Sequence, residues 1–152
     1  MSSLEIITLG RDDDYGGEFL ERLHDSIDYN IKNIKPFNIK WSYLLVDWFP
    51  QDQKYLYKNN KVSKFFNNKN FKSLIVDSSI SEPEDLASDS FYELFAKNAG
   101  VRHTGAEWIL ILNSDIIVPP AMWSEIQDII SSDTGDINFY RARYRTEIML
   151  GS

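Results

Sequence analysis

The chain of 152 residues contains no cysteine and only two histidines, His24 and His103. Without thiols it has no disulfide framework, no thiolate nucleophile and no zinc–thiolate site. Two histidines so far apart in sequence give little support to a histidine-based metal site. A basic excess is missing as well. The net charge of −7 argues against a nucleic-acid partner, which needs a basic surface. It leaves room for a nucleotide, because a metal ion can bridge phosphates to carboxylates. No basic N-terminal stretch precedes an apolar one, and no apolar run reaches transmembrane length, so a cytoplasmic protein without a membrane span is expected. Gly16-Gly17 is followed by no Lys-Ser or Lys-Thr pair, which excludes a phosphate loop of that type.

What is present is an ordinary globular balance, 43% hydrophobic and 26% charged, in a length that suits one domain over residues 1–152. Aromatic residues make up 14%; most are expected to fill the core and some to line a pocket. Leu4 to Leu9 reads as a buried strand ended by Gly10. Phe19, Leu20, Leu23, Ile27, Ile31 and Ile34 recur at helical spacing, which predicts a helix from about Gly17 to Lys35, stopped by Pro36. Trp41 to Val46 and Lys72 to Val76 read as further strands, separated by a polar Asn- and Lys-rich stretch of short helix and loop. Ser90 and Glu93 have capping-box spacing, opening a helix to about His103 with Phe91, Leu94 and Phe95 on its buried face. Trp108 to Leu112 reads as a fourth buried strand, Pro119-Pro120 as the start of a helix through Ile130, and Ile137 to Tyr144 as a fifth strand. Strands alternating with helices predict an α/β fold with a mostly parallel sheet.

In such folds ligands collect at the C-terminal ends of the strands. Acids gather there: Asp12, Asp13 and Asp14 after the first strand, Asp47 after the second, Asp77 after the third, and Asp115 after the fourth. Asp also forms turns and caps helices, so Asp12 to Asp14 are read first as turn formers that favour a helix N-terminus. Asp115 lies between two apolar runs, where an unpaired charge is costly, so a compensating partner is expected. Lys58, Lys61, Lys64, Lys69 and Lys72 are read as a solvated face.

The segment from Phe95 to Asp115 contains Lys97-Asn98-Ala99-Gly100, then Gly105-Ala106-Glu107-Trp108, an apolar strand and Asn113-Ser114-Asp115. This order resembles the core of GT-A glycosyltransferases, family-two-like members of the nucleotide-diphospho-sugar transferase superfamily. Leu44-Leu45-Val46-Asp47 is similar to that family's second strand, and Gly10-Arg11 falls where its first strand delivers the chain to the nucleotide. The resemblance implies a Rossmann-like GT-A fold, truncated at its C-terminal acceptor portion, and a UDP-sugar donor with Mn²⁺ or Mg²⁺. On the same basis Asp115 and Asn113 hold the metal, and Gly10, Arg11, Asp47, Lys97, Asn98, Asn113 and Ser114 contact the donor. Asn113 stands where the family has an acid; it offers a carbonyl oxygen but no charge.

The resemblance implies a metal-dependent glycosyltransferase acting on an unknown acceptor, whether glycan, protein or small molecule. The catalytic base stays unassigned, because Asp136 and Glu147 lie in no recognisable base motif. The alternative is a non-catalytic module that binds nucleotide-sugars or a partner. A nucleotidyltransferase is disfavoured, since Gly10-Arg11 is too thin a match to a Gly-rich basic loop. A sheet lacking an acceptor region is also expected to be covered by a partner chain or a homodimer.

Overall fold

The short apolar runs form strands because each is rich in β-branched or leucine side chains and bounded by turn residues. The computed structural model describes residues 2–13, 16–77, 93–132, 135 and 140. Strands β1 (Ser3–Gly10), β2 (Lys40–Trp48), β3 (Phe71–Val76) and β4 (Trp108–Leu112) form one sheet in the order β3-β2-β1-β4. Every pairing is parallel, with Ile7 opposite both Leu44 and Ile111. The expected fifth strand, apart from Tyr140, and the Ser90 cap lie outside the described residues.

Helix α1 (Phe19–Ile34) joins β1 to β2, α2 (Glu93–His103) precedes β4, and α3 (Pro120–Ser131) follows it. Between β2 and β3 the Asn- and Lys-rich stretch makes three short 3₁₀ turns, Gln51–Gln53, Leu56–Lys58 and Ser63–Asn67. The chain steps from β1 to β2 to β3 in one direction and then returns past β1 to β4. Right-handed crossovers taken in opposite directions place their helices on opposite faces. Accordingly α1 and α3 cover the face bearing Ile6, Tyr43, Leu45 and Leu112, while α2 covers that of Ile7, Leu44 and Val46.

The two faces differ in depth. Phe19, Leu23, Ile27, Ile31 and Ile34 of α1 are all buried, as their spacing predicts, and join Trp123 in the larger core. On the other face α2 comes close to the sheet at Gly100, where an added Cβ would lie 2.8 Å from Ile7 Cγ2. The buried residues of α2 are Ala96 and Gly100, which corrects the expected face: Leu94 and Phe95 are exposed, and Phe91 lies outside the described residues. The reading of β4 as buried is corrected too. Among the described residues β4 is an outer strand, so Ile109 and Ile111, which point to the α2 face, are exposed, whereas Leu112 on the α1 face is buried. No helix among the described residues is long and apolar enough to cross a membrane.

Candidate functional site

The winding direction reverses between β1 and β4, and it is beyond the C-terminal strand ends at such a point that parallel α/β sheets form their ligand-binding crevice. Three chain segments meet there, those leaving β1, β2 and β4.

Asp47, next to last in β2, has a fully buried side chain. Its Oδ2 accepts a hydrogen bond from the Leu56 amide at 2.8 Å. Its Oδ1 is buried and, among the described residues, has no hydrogen-bond partner. Burial pushes its pKa up from 3.8 to about 6; the Leu56 amide opposes that rise, and the carboxylate of Asp12 adds to it. The next turn is conformationally strained, with Phe49, Asp52 and Gln53 all in the left-handed region (φ 44°, 52° and 58°).

The segment after β1 is bound into the fold. Gly10 is buried because the Phe19 ring closes over it; an added Cβ would meet Phe19 Cζ at 2.4 Å. Arg11 is only 7% exposed, and its Nε donates to Asp13 Oδ2 at 2.7 Å. Asp12 accepts from Asn59 Nδ2 at 3.0 Å. Asp12 and Asp13 thus take side-chain partners rather than serving only as turn formers, and Asp14 lies outside the described residues.

The segment after β4 carries Asn113, Ser114 and Asp115. The Asn113 carbonyl accepts the Ile116 amide at 3.1 Å, making a tight turn. Two buried polar side chains of α1 hold that turn. Ser26 Oγ donates to the Ser114 carbonyl at 2.6 Å. Asn30 donates to the Ile116 carbonyl at 2.9 Å and accepts the Val118 amide at 2.7 Å. Neither residue stood out in the sequence. The available signal was two polar residues four apart, flanking the apolar stripe of α1.

Asp115 departs from the sequence expectation. Its side chain is 47% exposed rather than enclosed by the apolar runs around it, and its Oδ2 lies 3.2 Å from Arg22 Nη1. The charge does have a partner, and that partner is a guanidinium on α1. Pro119 caps α3 without a side-chain hydrogen bond, so Asp115 makes no cap there.

Lys97 forms an ion pair with Glu93 one turn earlier, and Asn98 is exposed on the same helix. Asp77 follows β3 half-buried. Arg102 and His103 end α2, where cations are favoured. His24 is away from the crevice, bonded to Asp25 at 2.8 Å and tilted against Phe65. The lysine-rich stretch is exposed as expected, with Lys61 paired to Glu21 and Lys58 over the rings of Tyr55 and Tyr57.

Among the described residues no three His, Cys, Asp or Glu side chains cluster as a ready-made metal cage. A Mg²⁺ or Mn²⁺ ion that arrives with a diphosphate needs only one or two protein oxygens. The half-exposed carboxylate of Asp115 offers one such oxygen, and Asn113 lies two residues before it in the chain.

No family model matches the sequence, and no curated protein matches it. The fold does match a solved structure, S. aureus TarS 1-349, with a TM-score of 0.51 and 14% identity over 85% of this chain. The chain spans 32% of that TarS chain. At this identity the likeness concerns the fold: an α/β domain with a four-stranded parallel sheet flanked by helices.

Proposed function

We propose that this domain is the donor-binding part of a glycosyltransferase that uses a UDP-sugar with Mn²⁺ or Mg²⁺. The observation that carries the reading is Asp47: a buried carboxylate at the C-terminal end of the sheet, one oxygen bonded and the other, among the described residues, without a hydrogen-bond partner. Burying such an oxygen unbonded is costly, so a ligand N–H that reached it once the enclosing side chains moved aside would gain a strong charge-assisted bond. The imide N–H of uracil is such a donor, whereas the corresponding ring nitrogen of cytosine is an acceptor and would be rejected. Likeness to TarS, a glycosyltransferase, supports the same reading at the level of the fold.

Transfer needs the negative charge growing on the leaving diphosphate to be neutralised. Asp115 and Asn113 are the residues that would hold the divalent ion, and the ion supplies Lewis-acid charge neutralisation when bound. Gly10, Ser114, Lys97 and Asn98 remain in the proposed donor site on the strength of the sequence resemblance. Arg11, locked to Asp13, acts there by shaping the loop.

Calorimetric titration with UDP and Mn²⁺ tests the proposal. Binding is expected to weaken in Asp47→Ala and to lose its metal dependence in Asp115→Ala. Absence of binding by the wild type at millimolar UDP sinks it. Asn113, an amide where the family has an acid, favours a second reading in which the domain binds the donor without transferring the sugar. Metal-dependent release of UDP from any UDP-sugar counts against that second reading.

A further inference from the structure

The cations near the C-terminal ends of the strands are unequal. Arg11 is nearly buried and held by Asp13. Lys97 is paired along its own helix with Glu93. Arg22 differs in three respects. It closes the first turn of α1, where a positive side chain opposes the helix dipole. Its Nε donates to the Gly17 carbonyl at 3.1 Å while its Nη1 reaches Asp115, so one guanidinium spans from the segment after β1 to the segment after β4. The backbone makes room for it: Gly16 has φ 76°, and an added Cβ there would lie 3.1 Å from Arg22 Nη2.

The geometry points to Arg22 as the cation that receives the diphosphate, with Asp115 holding it over the crevice until that anion arrives. Identifying the ligand as a nucleoside diphosphate rests on the donor reading above; the need for an anion rests on Arg22 and its surroundings. The exchange is favourable in direction. A half-exposed Arg–Asp pair contributes little, because water solvates both partners. A planar guanidinium meeting phosphate oxygens forms paired, charge-assisted hydrogen bonds. When Arg22 turns to the diphosphate it releases the Asp115 carboxylate, so ligand and divalent ion bind cooperatively, while the ion alone must compete with Arg22.

The test is calorimetry with inorganic pyrophosphate, UDP and uridine on the wild type, Arg22→Gln and Arg22→Lys, all without metal. Arg22→Gln is expected to weaken pyrophosphate and UDP by roughly tenfold or more and to leave uridine unchanged, with Arg22→Lys recovering part of the loss. Circular dichroism confirms that each variant is folded. Equal pyrophosphate affinity in wild type and Arg22→Gln, or no pyrophosphate binding at millimolar concentration, overturns the assignment. UDP binding that needs Asp47 but not Arg22 keeps the donor reading and removes this one. Arg22-dependent pyrophosphate binding with no preference for UDP keeps this one and removes the donor reading.

Discussion

Asp47 and Asp115 stand at the ends of strands on either side of β1, and their surroundings are opposite. Asp47 ends an inner strand covered on both faces, so water is excluded and its pKa climbs to about 6. Asp115 follows an outer strand among the described residues, keeps half its side chain in solvent, and is balanced by Arg22. A buried carboxylate with an unused oxygen suits recognition of a fixed N–H group, because its interaction is strong and directional. A half-exposed carboxylate in a weak ion pair suits exchange, because little is lost when its partner changes.

Four measurements can break or sharpen that contrast. The largest effect is expected in the walls of the inner strand. Leu44→Ala should destabilise the domain by about 3 kcal/mol in urea unfolding, whereas Ile111→Ala, its half-exposed counterpart on β4, should cost under about 1 kcal/mol. Equal costs would mean that β4 is as enclosed as β2.

Next comes pH. Asp47 has a folded-state pKa above its ordinary value of 3.8, so the native state binds the extra proton. Ionising it therefore removes stability as the pH rises from about 4 through 6, and the full penalty, on the order of 2–3 kcal/mol, is present above that window. Asp47→Asn should accordingly raise the melting temperature at pH 7.5 and lose that advantage near pH 4. The same carboxylate predicts that uridine affinity falls as the pH drops below about 6. A pH-independent gain in Asp47→Asn would show that the aspartate is not ionised at cost.

The third is Asn30→Ala, which strands the Val118 amide and the Ile116 carbonyl and should cost about 2 kcal/mol by thermal unfolding. The smallest is Asp115→Asn, whose effect on stability should stay below about 1 kcal/mol, while metal-dependent UDP binding disappears.

The periodicity of the chain made the framework legible. The apolar stripe of α1 and the parallel strands lie where their spacing places them, within one or two residues at the ends. The position of Asp47 was legible as well, since an acid late in an inner apolar strand falls at the C-terminal end of the sheet. The exposure of β4 was not, because an unbroken apolar run looks the same in an inner strand as in an outer one. That ambiguity enclosed Asp115 in the sequence reading and left its partner open, with a metal ion as one candidate. Arg22 was hidden for another reason: it lies 93 residues from Asp115 in the chain, and only the crossover brings the two together. Its one local trace was a cation in the first turn of a helix. The face of α2 was misread because a glycine and an alanine, not the large residues beside them, permit its close approach to the sheet.

The paired hydrogen bonds of Asn30 have a consequence for timing. They fasten the turn after β4 to the same helix that carries Arg22, so both ends of the Arg22–Asp115 contact ride on one block of the fold. Rotation of the Asp115 side chain then opens that contact without displacement of the turn that carries it. Rotamer changes of that kind take place in picoseconds to nanoseconds, far ahead of the microsecond-to-millisecond motion of a lid. Exchange of partners at Asp115 is therefore expected to run faster than any movement of the backbone around it.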